Sequence, residues 1–315
     1  MLRELALAGG LAVGTGAGGW LVFSREPVRH DPVVARTLKD FRVAADPHYP
    51  VLAVVRGQRV EAMVREAVEK LGGMSRFIAK GDTVLLKPNI GWDRQPQQAA
   101  NTNPEVVAAL VRLCREAGAK RVQVSDFSLN DPPRCFQRSG IEQAAREAGG
   151  QVILPGQNDF VLTRMDGQML KEWPVVRFLH EADKVINIPV AKHHSLSGCT
   201  LAMKNWYGMI GGRRNQLHQD IHTSIADLAS AMRPTLTVMD ATRVLKRNGP
   251  TGGNPDDVSE ENTLVAGLDE VAIDSWSLRF FDLQPTQVPY LALGHARGLG
   301  TPDWRSLNVV ESQIG

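Results

Sequence analysis

Short apolar segments alternate with amphipathic segments along most of this chain, and this alternation constrains the fold more than any other feature. Apolar runs of strand length occur at 51–55, 83–86, 122–124, 152–154, 185–188 and 236–239. Apolar residues at helical spacing predict helices at 59–71, 104–117 and 141–148. Buried strands that alternate with helices are typical of a parallel sheet covered on both faces. We therefore predict an α/β fold with a mostly parallel sheet and helices on both of its faces.

The first 50 residues do not follow this pattern. Residues 5–23 contain no charged residue, and a run of about 19 residues is just long enough to span a hydrocarbon core. No A-x-A cleavage site follows the run, which favours an uncleaved hydrophobic helix over a cleaved export signal. We predict a signal or membrane anchor at 1–26, a linker or extended arm at 27–50, and one α/β domain at 51–315. An exported protein, periplasmic or held at the outer face of the cytoplasmic membrane by residues 5–23, is the expected location.

Charge and cysteine content exclude several classes of partner. The formal net charge is +2, so no bulk field directs the chain to nucleic acid. Three cysteines form no C-x-x-C pair, which predicts no iron–sulfur motif in this chain. Any iron–sulfur centre would belong to a redox partner.

Polar side chains follow four of the predicted strands. They are Lys87 with Asn89, Asp126, Lys192 with His194, and Asp240. Ligands of parallel α/β sheets bind beyond the carboxyl ends of the strands, where strand-to-helix loops gather. We therefore expect these side chains to meet in one pocket.

The segment 192–208 is the densest concentration of cationic and hydrogen-bonding groups, and a solvated basic loop is its alternative interpretation. Clustered lysines and imidazoles repel one another as cations, so at least one should titrate low, or an anionic ligand should relieve the repulsion. We predict a small anionic ligand. The predicted catalytic residues are Lys192, His194, Lys204, His218 and Asp240. The predicted substrate-binding residues are Lys87, Asn89, Asp126, Asn205, Asn248 and Gly249.

A divalent metal ion is predicted from three histidines. His218 and His222 are four residues apart, which on a helix places both imidazoles on one face. His194 is the candidate third ligand, whereas Asp220 is expected to cap a helix. Hydrogen-bonded helix histidines are the alternative to a metal site. Cys199, next to these cations, is an alternative nucleophile as a thiolate.

Several sequence blocks resemble the DUF362 family of bacterial and archaeal proteins of undefined function. They are V-L-L-K-P-N at 84–89, I-N-I-P-V-A-K at 186–192, T-L-A-M-K-N-W-Y-G at 200–208, V-M-D at 238–240, N-G-P at 248–250 and A-G-L-D-E-V-A-I-D at 266–274. The resemblance implies an export signal and, in some members, ferredoxin-type modules, which this chain lacks. His193 departs from the family pattern, where a small hydroxyl residue is common. The Lys-x-His at 192–194 with Lys-Asn at 204–205 is also similar to nickel-pincer lactate racemases, which act on a small hydroxy acid.

Two functional hypotheses follow. The first is an isomerase- or lyase-type enzyme that performs metal-assisted acid–base chemistry on a small anionic substrate or a cofactor precursor. The second is a non-catalytic accessory subunit, tethered to the membrane, of an electron-transfer or metallocentre complex. An exposed apolar patch would favour the second hypothesis, and its candidate residues are Phe280, Phe281, Val288, Tyr290 and Leu291.

Overall fold

The computed structural model describes residues 34–315. The predicted membrane anchor at 5–23 lies outside these residues. Between residues 34 and 315, no helix combines the length and the apolar character needed to cross a membrane. The described part of the predicted arm has little regular secondary structure beyond Arg36–Thr37, and Phe41 in it is buried, with its N–H donating to the carbonyl of Arg233 at 3.1 Å. This part of the arm is therefore packed against the domain.

The strands of the described chain form one large sheet and one small sheet. They are β1 (Arg36–Thr37), β2 (Leu52–Arg56), β3 (Thr83–Pro88), β4 (Arg121–Ser125), β5 (Gln151–Ile153), β6 (Phe160–Arg164), β7 (Glu172–Val176), β8 (Lys184–Ile188), β9 (Val190–His194), β10 (Gly198–Thr200), β11 (Leu236–Leu245), β12 (Val258–Gly267) and β13 (Val309–Gln313). The large sheet has the order β13-β2-β12-β11-β8-β3-β4-β5, and the small one has the order β1-β6-β7.

Nine α-helices lie between or after these strands within residues 34–315. They are α1 (Val60–Lys70), α2 (Pro104–Glu116), α3 (Pro132–Arg138), α4 (Ile141–Glu147), α5 (Arg177–Glu181), α6 (Ala202–Asn205), α7 (Ile221–Ala231), α8 (Glu270–Ser277) and α9 (Pro289–Ala296). A 3₁₀ helix, Arg214–Asp220, comes immediately before α7.

The predicted mostly parallel sheet is confirmed. Adjacent strands are parallel throughout the series β11-β8-β3-β4-β5, and β13 is parallel to β2. Strands β12 and β10 are the exceptions: β12 is antiparallel to both β11 and β2, and β10 is antiparallel to β9. Because β11 continues into β12 through a loop rather than a crossover helix, the two long strands form an antiparallel pair.

Helices cover both faces of the sheet, and each face buries its own apolar cluster. Leu86 belongs to the cluster that includes residues of α1 and α2, whereas its neighbour Leu85 belongs to the cluster with Trp206 and Trp276. Successive strand residues point to opposite faces, so one apolar strand contributes to both clusters. The candidate apolar patch also belongs to this core: Phe280, Val288, Tyr290 and Leu291 are buried and Phe281 packs against them. No exposed patch is present in this segment.

Candidate functional site

A cavity of about 450 Å³ opens beyond the carboxyl ends of β3 and β4, next to β9 and α6. Seven of the predicted functional residues contribute to its wall. They are Asn89, Asp126, Lys192, His194, Lys204, Asn205 and His218. The carboxyl ends of parallel strands meet at one edge of the sheet, which is why residues so distant in sequence become neighbours here.

Lys87 and Asp126 form a buried ion pair behind the cavity. Lys87 Nζ lies 2.8 Å from Asp126 Oδ1, and it also donates to the Pro88 carbonyl and to Asn205 Oδ1. The ammonium thus has three oxygen partners, and Lys87 is fully buried and does not line the cavity. Lys87 therefore holds Asp126 in place instead of facing a ligand. Gly208 permits this approach, because a Cβ at that position would collide with Asp126 Oδ1 and Lys87 Nζ.

Three asparagines orient the amino groups at the base of the cavity. Asn205 Oδ1 accepts from Asn89 Nδ2 at 2.9 Å, and Asn205 Nδ2 donates to Asn187 Oδ1 at 2.8 Å. Asn89 Oδ1 in turn accepts from Lys192 Nζ at 2.9 Å. Asn187 is held by Glu270 Oε1 at 2.6 Å. The amide orientations therefore follow from a continuous hydrogen-bond chain, which fixes Lys192 at the wall.

Lys204 is a buried cation without a counter-charge. It lies in α6, whose first N–H groups donate to Asp274: Ala202 N at 2.7 Å and Met203 N at 3.1 Å. Its Nζ lies 4.5 Å from the centre of the Tyr207 ring, and among residues 34–315 it forms no ion pair and no hydrogen bond. Burial, with repulsion from Arg214, lowers the pKa of Lys204 to about 7. Burial and repulsion from Lys204 likewise lower the pKa of Lys192 to about 7.

The hydrogen bonds of His194 define its tautomer. Its Nδ1 accepts from the backbone N–H groups of Leu196 at 3.2 Å and Ser197 at 3.3 Å. The neutral ring therefore carries its proton on Nε2, where it can donate a hydrogen bond to a ligand. Burial and the nearby Lys204 lower the pKa of His194 to about 2, so the ring is neutral at physiological pH.

His218 has the opposite tautomer. Its Nδ1 contacts the Asn215 carbonyl at 3.2 Å, and a carbonyl only accepts, so this nitrogen carries the proton and Nε2 has the lone pair. The ring stacks beside His194 with 6.3 Å between the ring centres and 17° between the planes, and it packs edge-on against Tyr207. Burial and Lys204 lower the pKa of His218. Two neighbouring neutral imidazoles thus offer one proton donor and one proton acceptor.

The structure does not group the predicted metal ligands. Asp220 caps α7 by accepting from Thr223 N, as expected, so the helix begins after His218, and His218 and His222 do not share a helix face. The His222 ring stacks on Tyr290 instead, with 6.0 Å between the ring centres. No group of three or more His, Cys, Asp or Glu side chains within the described range is arranged to hold a metal ion. The structure thus brings His194 and His218 together and leaves His222 apart, so the predicted set of three ligands is not assembled among the described residues.

Asp240, Asn248 and Gly249 lie away from the cavity wall. Strand β11 runs on to Leu245, so Asp240 is inside the strand rather than at its end, and its carboxylate accepts from Asn103 N and from Thr242. It thereby fixes the start of α2. Asn248 donates to Asp257, and Gly249 N–H donates to Nδ1 of His193. From this loop only Pro250 reaches the cavity.

Arg214 is a wall residue that the motif analysis did not select. Its guanidinium donates to the carbonyls of Phe127, Ser128 and Tyr207 and lies 4.6 Å from the centre of the Phe127 ring. Arg214 ends a Gly-Gly-Arg-Arg segment at 211–214, whose adjacent cations were the available sequence signal. Cys199 is not a thiolate, because burial raises its pKa to about 12 and its Sγ contacts the Tyr290 hydroxyl.

The comparisons with known proteins agree with the sequence blocks. The model of the family described as "Domain of unknown function (DUF362)" matches residues 84–279, which include the central strands and most of the cavity wall. The chain belongs to the DUF362 family. A thylakoid-associated protein of Synechocystis sp. is 28% identical over 268 residues, which cover 79% of each chain.

Two solved structures were also matched at low similarity. The lactate racemase apoprotein of Thermoanaerobacterium thermosaccharolyticum has 12% identity and a TM-score of 0.42, with 78% of this chain and 59% of that one covered. A Thermotoga maritima protein has 14% identity and a TM-score of 0.39, with 75% and 59% covered. This chain thus spans about three fifths of the length of either structure.

Proposed function

We propose that this DUF362 protein is an enzyme that performs acid–base chemistry on an anionic substrate bound in the cavity. The observation that carries the proposal is the pair of neutral imidazoles in opposite tautomers, placed beside a buried ammonium group without a partner. Such a set supplies a donor, an acceptor and an electrostatic anchor in one cavity.

Each group has a distinct task in this proposal. Lys204 and Lys192 attract the negative charge of the substrate, here a carboxylate, and its binding raises their lowered pKa values because an opposite charge favours the ammonium form. The His218 Nε2 lone pair accepts a proton from the substrate. The His194 Nε2–H donates to the oxygen on which negative charge develops, a role that a neutral imidazole can fill.

A metal ion has no ligand set in this arrangement. A metal ligand needs a free imidazole lone pair, and the Nδ1 lone pair of His194 is used by two backbone N–H groups. Of these two rings, only His218 has a nitrogen lone pair, on Nε2, that could bind a metal ion. The residues described here do not fit a three-ligand metal site, so the proposed roles involve side chains alone.

We also propose that the chain works at a membrane surface. The thylakoid association in the name of its Synechocystis relative supports this location, and the uncharged run at 5–23 is the candidate attachment. The full chain should sediment with membranes and resist a high-salt wash, whereas a variant that begins at residue 27 should be released. Equal release of both forms would contradict this attachment.

Proton transfer can be tested without knowledge of the natural substrate. In D₂O, we expect the protein to exchange a C3 hydrogen of a suitable 2-oxo carboxylate or the C2 hydrogen of a 2-hydroxy carboxylate. The exchange is measured by ¹H NMR. The His218→Gln variant should lose most of this exchange, since general-base catalysis contributes about 10²- to 10⁴-fold.

The matched control is His48→Gln, which changes an imidazole whose side chain is 86% exposed. Exchange that is equal in His218→Gln and in the unmodified protein would refute the role of His218. Carboxylate binding that is unchanged in Lys204→Met would refute the anion site itself.

A further inference from the structure

The cavity has two chemically different parts. The charged part offers a ligand the Lys204 ammonium, one N–H of Lys192 and the Nε2–H of His194. Much of the remaining wall is aromatic or aliphatic, and its members are Trp92, Phe127, Leu129, Tyr207 and Pro250. A ligand that satisfies both parts must carry charge at one end and apolar surface over the rest.

The apolar part is rigidly built around Phe127. This ring packs edge-on against Phe160 with 4.9 Å between the ring centres, and Arg214 lies on it. The Arg214 guanidinium donates to three backbone carbonyls and stacks on the Phe127 ring, which fixes the position of the ring. Because three of its N–H groups are used in this way, few remain for a ligand. Leu129 lies at the rim and is 59% exposed, which makes it an apolar side chain that a ligand could cover.

The volume points the same way as the chemistry of the wall. A cavity of about 450 Å³ falls within the range of about 300–1,000 Å³ that buries drug-sized ligands. A three-carbon hydroxy acid has only six non-hydrogen atoms, and it would leave the aromatic wall in contact with water. The charged end is small by contrast, since Lys192, Lys204 and His194 supply its main donors and Arg214 is largely bound to backbone carbonyls.

We propose that the substrate is a monocarboxylate with a bulky apolar or aromatic body, bound with its carboxylate at Lys204 and His194 and its body against Phe127 and Leu129. This inference rests on the proposed function, because it assigns the substrate class of the same site. The proposed substrate differs from a short hydroxy acid, which lacks an apolar body.

Calorimetric titration with matched probes tests the inference. The probes are acetate, 3-phenylpropionate and the uncharged 3-phenylpropan-1-ol, each titrated into the full chain at pH 6.5. We expect 3-phenylpropionate to bind about 10- to 150-fold more tightly than acetate, the gain expected for burial of one large apolar side chain. The alcohol should bind much more weakly than the acid.

Two variants locate the apolar contact. Leu129→Asn should reduce the advantage of 3-phenylpropionate over acetate and leave acetate binding unchanged, whereas Met169→Asn, an exposed change outside the cavity wall, should leave both affinities unchanged. Leu129 is exposed, so its replacement is not expected to prevent folding.

The outcomes separate this inference from the function on which it rests. Equal affinity for acetate and 3-phenylpropionate would overturn the apolar substrate class and leave the anion site intact. If the alcohol bound as tightly as the acid, the proposed carboxylate site at Lys204 and His194 would be refuted, and with it both proposals. Failure of both acids to bind would overturn the anion site, and therefore this inference as well.

Discussion

Replacement of Lys204 by methionine should stabilise the folded protein, and most strongly at low pH. The buried ammonium has no counter-charge among the described residues, and its pKa falls from 10.5 to about 7 on folding. The unfolded chain therefore binds more protons than the folded chain between about pH 7 and 10.5, and stability rises with pH across that window. Below pH 7 the full penalty of the buried charge applies.

The two pKa values set the size of the effect. At 1.36 kcal/mol per pKa unit, the lowered pKa of Lys204 reduces the free energy of unfolding by about 5 kcal/mol at pH 6, where the lysine is protonated in both the folded and the unfolded chain. The reduction is about 2 kcal/mol at pH 9. Methionine retains a similar length without the charge, so Lys204→Met should gain free energy of unfolding by amounts of this order. The difference between the two pH values is the more diagnostic quantity, because changes in packing contribute equally to both.

Urea denaturation at pH 6 and pH 9 measures this difference. Lys120→Met, a change at an exposed lysine, is the control and should show little change at either pH. A Lys204→Met protein that is no more stable than the unmodified protein at pH 6, or whose change in stability is the same at both pH values, would refute the interpretation of Lys204 as an uncompensated buried cation.

Three further predictions address the surroundings of this lysine. Gly208→Ala should destabilise the fold by about 1–3 kcal/mol in urea denaturation, because the new Cβ collides with Asp126, whereas Gly91→Ala, whose Cβ has ordinary contacts, should not. Native Cys199, with its pKa raised to about 12, should react with iodoacetamide far more slowly than in the denatured chain, and fast native labelling would contradict its burial. Carboxylate affinity, measured by calorimetry, should fall up to tenfold per pH unit above about pH 7 as Lys204 loses its proton, and an affinity independent of pH would contradict its role.

The parallel part of the sheet was predictable because its strands are buried on both faces. The predicted strand at 83–86 corresponds to β3, and the predicted helix at 104–117 to α2. Strand β12 was missed because residues 259–262 are polar and at most partly buried, which leaves most of the apolar signal to its second half. Short edge strands such as β13 carry a similarly weak apolar pattern.

The site was predictable where it depends on strand ends and less so where it depends on local geometry. Lys192 and His194 reach the wall because β9 continues directly from β8 toward the cavity. Asp240 does not, because the apolar run that ends at Met239 is only the first part of a longer strand. The spacing of His218 and His222 implied a shared helix face, and no periodicity shows that Asp220 starts a new helix between them.

The tautomers of His194 and His218 provide the most direct test of the proposed acid–base centre. Long-range ¹H–¹⁵N correlation NMR of the histidine side chains distinguishes a protonated Nδ1 from a protonated Nε2. The structure predicts that His194 carries its proton on Nε2 and His218 on Nδ1, and that His194 stays neutral across the physiological pH range because its pKa is lowered to about 2. If both rings show the same tautomer, or if His194 titrates near pH 6.5, the two imidazoles are not a donor and acceptor pair.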